Sequence, residues 1–281
     1  MTAEVPPATG VGLRSRHIRD VEALRPNLKF LEIHAENHLC GGAMRHVLLR
    51  LRRDYEISVH CVGMSLGSVT LDKDHISRIK TLLDEIDPFL VSDHLSASKL
   101  GSVYTNDLLP IPYSEEALDH FCNHVDQAQE LLGRQLLIEN PSRYVSFSQS
   151  TLSDEEFLGA VARRTGCALL CDVNNIFVTA RNEGKDPDAV LAAFPMEHVR
   201  EFHLAGHDTL SDTGRTVRID THDRPVCDEV WILFERACKR TRVPTLIEWD
   251  KDLPDLSVLV DESAKALAVL NKSGRERANA A

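Results

Sequence analysis

The stretch "SEEALDHFCNHVDQAQELLGRQLLIEN", residues 114–140, holds two patterns in succession. Up to Arg134 the apolar residues recur at helical spacing, behind Ser114 with Glu116 and Ala117, which reads as a capped helix start. The remainder, "QLLIEN", is a short aliphatic run closed by Glu139 and Asn140. That is a buried strand with polar residues at its carboxyl end.

The same unit recurs in both directions. Apolar runs lie at 10–14 ("GVGLR"), 29–37 ("KFLEIHAEN"), 56–63 ("EISVHCVG"), 88–94 ("PFLVSDH") and 135–140. They continue at 168–175 ("ALLCDVNN"), 199–206 ("VREFHLAG") and 244–250 ("PTLIEWD"), with amphipathic stretches between. Eight strands alternating with helices predict an α/β fold, a single-domain TIM (β/α)8 barrel over residues 10–268. Residues 1–9 are then an N-terminal extension, and the polar segment 269–281 is expected to be a disordered tail. A doubly wound sheet with a dinucleotide site would favour G-x-G-x-x-G after the first strand. The first turn here, "GVGLRSRH", lacks the third glycine.

Composition narrows the function. The chain has 281 residues, 43% of them hydrophobic and 27% charged, as in globular proteins. Its formal charge of −11 argues against nucleic acid, whose binders carry a basic stripe. No apolar run is long enough for a bilayer, and "MTAEVPPATG" does not resemble a secretory signal. Seven scattered cysteines without a C-x-x-C pair suit reduced thiols and a cytoplasmic location. Cys167 and Cys171, four apart on one strand, are expected to be buried.

The polar residues fall at the strand ends: Glu32, His34, Glu36 and Asn37; His60; Asp93 and His94; Glu139 and Asn140; Asp172, Asn174 and Asn175; His203 and His207; Glu248 and Asp250. A barrel enzyme builds its site at these ends. One such histidine is ordinarily a hydrogen-bonded core residue, and one such carboxylate a helix cap. Many carboxylates gathered together would repel one another unless a cation neutralised them. His60, His94, Glu139, Asp172, His203, Asp220, His222 and Glu248 are the candidate ligands, a set without sulfur that suits Fe, Mn or Zn. Eight are too many for one ion and adequate for two or three. Histidines outside the strand ends read as surface.

With these residues in view, a resemblance becomes specific. "GVGLRSRH", "LEIHAENHLCGG", "VSDHLS", "LIENPSRY", "CDVNN", "EFHLAGH", "DTHDRPV" and "IEWD" follow one another between Gly10 and Asp250. In this order they resemble the multinuclear non-heme iron-dependent oxidases. The resemblance implies a TIM barrel with two or three irons of mixed Fe(II)/Fe(III) valence. His60, His94 and Glu139 would hold one iron, and Glu139 would be shared with a second. Asp172, His203, Asp220, His222 and Glu248 would complete the second and third, and Glu139, Asp172 and His203 are the implied catalytic residues. Asn175 and His207 are further ligands or lie just behind them, while Arg14, Arg16 and Arg143 are candidates for holding a substrate carboxylate. The implied reaction is O2-dependent modification of a cysteine in a ribosomally synthesised precursor peptide, beginning with hydrogen abstraction from Cβ by an iron–superoxide species. Implied partners are that peptide, O2 and a small leader-binding protein forming a heterodimer. Two alternatives share the strand-end layout: a divalent-metal isomerase or endonuclease barrel of the xylose isomerase or endonuclease IV type, and a non-catalytic peptide-binding scaffold.

Overall fold

The computed structural model describes residues 7–101, 103–212 and 214–280. Twelve strands appear among them. They are β1 (Thr9–Gly12), β2 (Phe30–His34), β3 (Glu56–His60), β4 (Leu90–His94), β5 (Ala97–Leu100) and β6 (Val103–Leu109). The series continues with β7 (Leu137–Glu139), β8 (Ala168–Asp172), β9 (Val199–Leu204), β10 (Asp208–Asp212), β11 (Arg215–Ile219) and β12 (Thr245–Ile247). Eight of these hydrogen-bond as a closed parallel barrel in the order β1-β12-β9-β8-β7-β4-β3-β2. These are the eight apolar runs of the sequence, seven trimmed to their cores and the first shifted one residue towards the N-terminus, to Thr9. The two remaining pairs, β5–β6 and β10–β11, are antiparallel hairpins that the sequence pattern does not predict.

The chain divides into two compact units, Ile33–Leu170 and the residues on either side of it. In the Ile33–Leu170 unit, register sets Ser58 beside Leu90, His60 beside Ser92, Ser92 beside Leu137 and His94 beside Glu139. Side chains alternate along a strand, so Leu90, Ser92 and His94 share one face with Leu137 and Glu139. That face is apolar at the strand starts, where Leu90, Leu137, Ala168 and Leu170 cluster against Phe89, and polar at the strand ends. Outside the strands, the helix Glu115–Leu132 starts on a Ser114 cap and buries Leu118, Phe121, Val125 and Leu132. Phe121 and Tyr113 both meet Phe157 of the helix Asp154–Thr165, at ring separations of 6.2 and 4.7 Å.

In the other unit, register aligns Gly12 with Glu32, Gly10 with Leu246 and His203 with Leu246. Gly10 is required by close packing: a Cβ there would lie 2.6 Å from the Phe30 carbonyl oxygen and 2.7 Å from its ring. Gly10 of "GVGLRSRH" therefore serves strand packing. Segment 269–280, expected to be a disordered tail, instead continues the helix Leu256–Ala280, in which Leu270 and Ser273 are buried. Residues 1–6 of the expected extension and Ala281 lie outside the described residues, and Thr9 already belongs to β1. Among the described residues no helix is long and apolar enough to cross a membrane.

Candidate metal centre

In the Ile33–Leu170 unit, His60, His94 and Glu139 end three successive barrel strands, β3, β4 and β7. Their donor atoms face one another. His60 Nε2 lies 3.2 Å from His94 Nε2 and 3.3 Å from Glu139 Oε2, and His94 Nε2 lies 3.4 Å from the same oxygen. All three residues are buried. A point about 1.9 Å from each atom lies at the centre of that triangle, close to the bond length of a first-row metal to imidazole nitrogen or carboxylate oxygen. His60 is oriented for this, because its other ring nitrogen is 2.7 Å from Ser92 Oγ. A partner on Nδ1 leaves Nε2 as the donor, as is usual for metal-binding histidine.

The other unit gathers a second set. His203, fully buried, lies between two carboxylates, Nε2 3.3 Å from Glu32 and Nδ1 3.1 Å from Glu248. Burial opposes its charged form, but Glu32 and Glu248 outweigh burial and raise its pKa well above that of free imidazole. His222 is similarly placed: Nε2 is 2.7 Å from Asp220, and Nδ1 is 3.4 Å from Glu248 and 3.2 Å from Asp250. Burial again opposes the charge, and Asp220 and Glu248 again prevail. Glu32, His203 and Glu248 form one group whose donor atoms are close enough for an ion, and Asp172, His222 and Glu248 form another. Carboxylates on both sides of each imidazole favour positive charge at these positions, whether carried by a proton or by a cation. The donor set of both units fits iron: histidine and carboxylate, no sulfur.

Each remaining predicted residue has a definite place. Asp172 ends β8 and also caps the helix Val173–Asn182, accepting from Asn175 N at 2.6 Å, so a helix-capping residue also stands in the group with His222 and Glu248. Asn175 is buried beside it. His207 reaches Asp220 through an intermediary: its Nδ1 is 2.8 Å from Asn174 Oδ1, and Asn174 Nδ2 donates to Asp220 at 2.7 Å. Burial, with Arg218 nearby, lowers the His207 pKa. The three arginines already hold carboxylates of this chain. Arg14 is buried against Asp250, Arg16 reaches Asp255 at the surface, and Arg143 pairs with Asp154 at 2.7 Å and lies over Tyr113.

Four contributors were visible as sequence but not among the eight ligands: Glu32, Ser92, Asn174 and Asp250. Glu32 stands two residues from His34 in β2, and Ser92 two residues from His94 in β4, the spacing that keeps side chains on one face of a strand, while Asp250 lies just beyond the end of β12. Three histidines read as surface are buried instead. His17 bonds Pro254 O, His124 bonds Leu66 O, and His38 lies beside the Arg45 that its carbonyl holds. Cys167 and Cys171 are buried as expected, and burial pushes the Cys167 thiol up to about 12.

Comparison with known proteins gives this arrangement a family. The model described as "RiPP precursor modification enzyme MbnB/TglH/ChrH" matches residues 8–271. The chain belongs to that family. This is the family that the sequence motifs resemble, and its members modify ribosomally made precursor peptides. UPF0276 proteins of Vibrio parahaemolyticus and Chromobacterium violaceum are 47% and 43% identical to this MbnB/TglH/ChrH member. The alignments cover 95% of this chain in both cases, and 93% and 96% of those relatives. Among solved structures, an L-ribulose 3-epimerase superposes with a TM-score of 0.62 at 12% identity, covering 98% of both chains. A xylose isomerase-like TIM barrel protein from Mycobacterium smegmatis, in complex with magnesium, gives 0.61 at 13% identity, over 95% of this chain and 97% of that one. At such identities the likeness shows the barrel and nothing about the reaction.

Proposed function

We propose that this chain is an iron- and O2-dependent oxidase that modifies a cysteine of a ribosomally synthesised precursor peptide, beside a small leader-binding partner protein. The observation that carries the reading is the triangle of His60, His94 and Glu139 donor atoms, with family membership behind it. His60, His94 and Glu139 would hold one iron. Asp172, His203, Asp220, His222 and Glu248 would hold the rest of a two- or three-iron centre, with Glu32 beside His203. Bound iron would supply the redox chemistry with O2 and a site for the cysteine thiolate, whose formation coordination favours.

The chain's own groups supply holding, orientation and dryness. Ser92 orients His60, and Asn174 orients Asp220 and ties it to His207. His60, Glu139, Asp172, His203 and Glu248 are each no more than 4% exposed, which excludes bulk water from the donors and strengthens their electrostatics. The acidic balance of −11 suits a basic peptide or partner. Arg14, Arg16 and Arg143 could meet a substrate carboxylate only by exchanging the carboxylates they hold, so the exposed Arg16 is the strongest of the three.

The test is co-expression with a short cysteine-bearing precursor encoded beside the gene, followed by peptide mass spectrometry and O2 uptake by the purified enzyme. A mass change at cysteine that needs iron and O2 supports the reading. A turnover indifferent to O2 would point instead to isomerase or hydrolase chemistry on the same barrel.

A further inference from the structure

His222 sits in a conformation that its own backbone disfavours. Its φ is +47°, in the left-handed region that a residue with a Cβ enters at a cost of about 1 kcal/mol or more. Such a conformation persists only when its surroundings over-determine it, and here they do. His222 N donates to Gly206 O at 3.0 Å, while His222 O accepts from Asp250 N at 2.8 Å and Lys251 N at 3.2 Å. Gly206 can come this close only without a side chain, since a Cβ there would lie 2.1 Å from Arg224 O.

Asp250 grips the same residue twice. Its main chain donates to the His222 carbonyl, and its Oδ2 lies 3.2 Å from His222 Nδ1. The other carboxylate oxygen, Oδ1, accepts from Arg14 Nε at 2.8 Å and from Arg14 Nη2. Arg14 is buried and lies 3.6 Å from Glu248 as well. Both guanidinium nitrogens bond the same oxygen, Oδ1, so charge-assisted hydrogen bonds anchor that oxygen while Oδ2 faces His222 Nδ1. With Nδ1 on Asp250, the far nitrogen Nε2 faces Asp220 at 2.7 Å.

We propose that Asp250, anchored by Arg14, is a positioning residue that fixes the His222 ring through Nδ1 and leaves Nε2 as its donor nitrogen. The donor role rests on the metal-centre reading above; the orientation of the ring does not. Arg14 is thereby assigned to the support of the site, and its two contacts account for a buried guanidinium directly after the first strand.

Two measurements on the metal-free protein test this. The first is a long-range 1H–15N spectrum of protein labelled at histidine. It should show the His222 Nδ1 proton in a carboxylate hydrogen bond in the wild type, weakened in Asp250→Asn and lost in Asp250→Ala. An unchanged His222 pattern in both variants would overturn the proposal. The second is titration with Co(II), followed by its visible absorption. Asp250→Ala should lower affinity at one site by about 10- to 100-fold, the usual effect of removing a partner behind a ligand. Asp250→Asn should lose affinity in the same direction, because its single amide oxygen can serve either Arg14 or Nδ1 but not both. The loss should vanish when Asp250→Ala is made in a His222→Ala background, whereas a general loosening of the fold would persist there. Wild-type affinity in Asp250→Ala, or an equal loss in the His222→Ala background, would refute it. Asp119→Asn, which breaks an exposed ion pair with Arg164, is the control and should bind like the wild type. If Asp250→Ala does not fold, the spectrum and the titration of Asp250→Asn decide the matter. A wild type that shows the Nδ1 hydrogen bond yet binds no Co(II) would sink the metal-centre reading and the donor role of Nε2, leaving the ring orientation standing.

Discussion

At the scale of single residues, Glu139 meets both His60 and His94 through one oxygen, at 3.3 and 3.4 Å. Glu139→Gln keeps the volume and removes the charge. The variant should fold, with an unchanged far-ultraviolet circular dichroism spectrum, yet lose at least one iron per chain and its activity. Full iron content and turnover would show that the ligand assignment is wrong. Ser92→Ala removes the 2.7 Å contact behind His60 Nδ1 and should weaken metal binding by about 10- to 100-fold, read as an equilibrium constant against a competing chelator. Six of the eight candidate ligands could be read from sequence because each stands at the end of an apolar run, whereas Asp220 and His222 lie in the segment after the seventh. The supporting roles of Ser92, Asn174 and Asp250 could not be read there, because each depends on a partner 28 to 46 positions away, set only by register and loop path. The burial of His17 and His124 was hidden for the same reason, since each is held by a distant backbone carbonyl.

At the scale of elements, caps and hairpins carry distinct predictions. Ser153 opens the helix Asp154–Thr165 with a reciprocal capping box to Glu156. Ser153→Ala should cost about 1 kcal/mol in chemical denaturation, with no change in metal content. Asp72 caps the helix Lys73–Ile86 and ties it to the hairpin β5–β6. It takes a hydrogen bond from Lys99 at 2.6 Å and another from Tyr104 at 3.1 Å. The Lys99 bond, then the His75 amide, holds its pKa down at about 2. An aspartate in an unfolded chain titrates at about 3.9, so this contribution is complete above that value and is lost as pH falls towards 2. Between pH 4 and pH 2 the melting temperature of the wild type should therefore fall more steeply than that of Asp72→Asn. Equal slopes would mean that solvent screens the pair. The barrel strands were legible because a strand buried on both faces is a plain aliphatic run. The hairpins were not. "ASKLGSVYTNDLL" and "DTLSDTGRTVRI" mix polar and apolar residues on largely exposed strands, so neither shows the alternation of a half-buried strand.

At the scale of the whole molecule, strand order and family membership were both legible, because a barrel repeats one βα pattern along the chain and polar residues close the repeats. The helical course of residues 269–280 was not, since the polar composition of a helix end resembles that of a loose tail. Bound metal should also be visible in stability. The carboxylates around His203 and His222 are gathered in the folded chain and dispersed in the unfolded one, so a cation that binds them stabilises the fold. Removing metal with a chelator under nitrogen should lower the melting temperature. Ferrous iron should restore it, by a margin that grows with iron concentration. The most direct test of the central claim is the metal content of protein expressed in iron-supplemented cells, by plasma mass spectrometry, with Mössbauer spectra of an iron-57 sample. Two or three irons per chain, partly ferric and partly ferrous, is the predicted result. One zinc or manganese without iron, or no metal after anaerobic reconstitution, would contradict it.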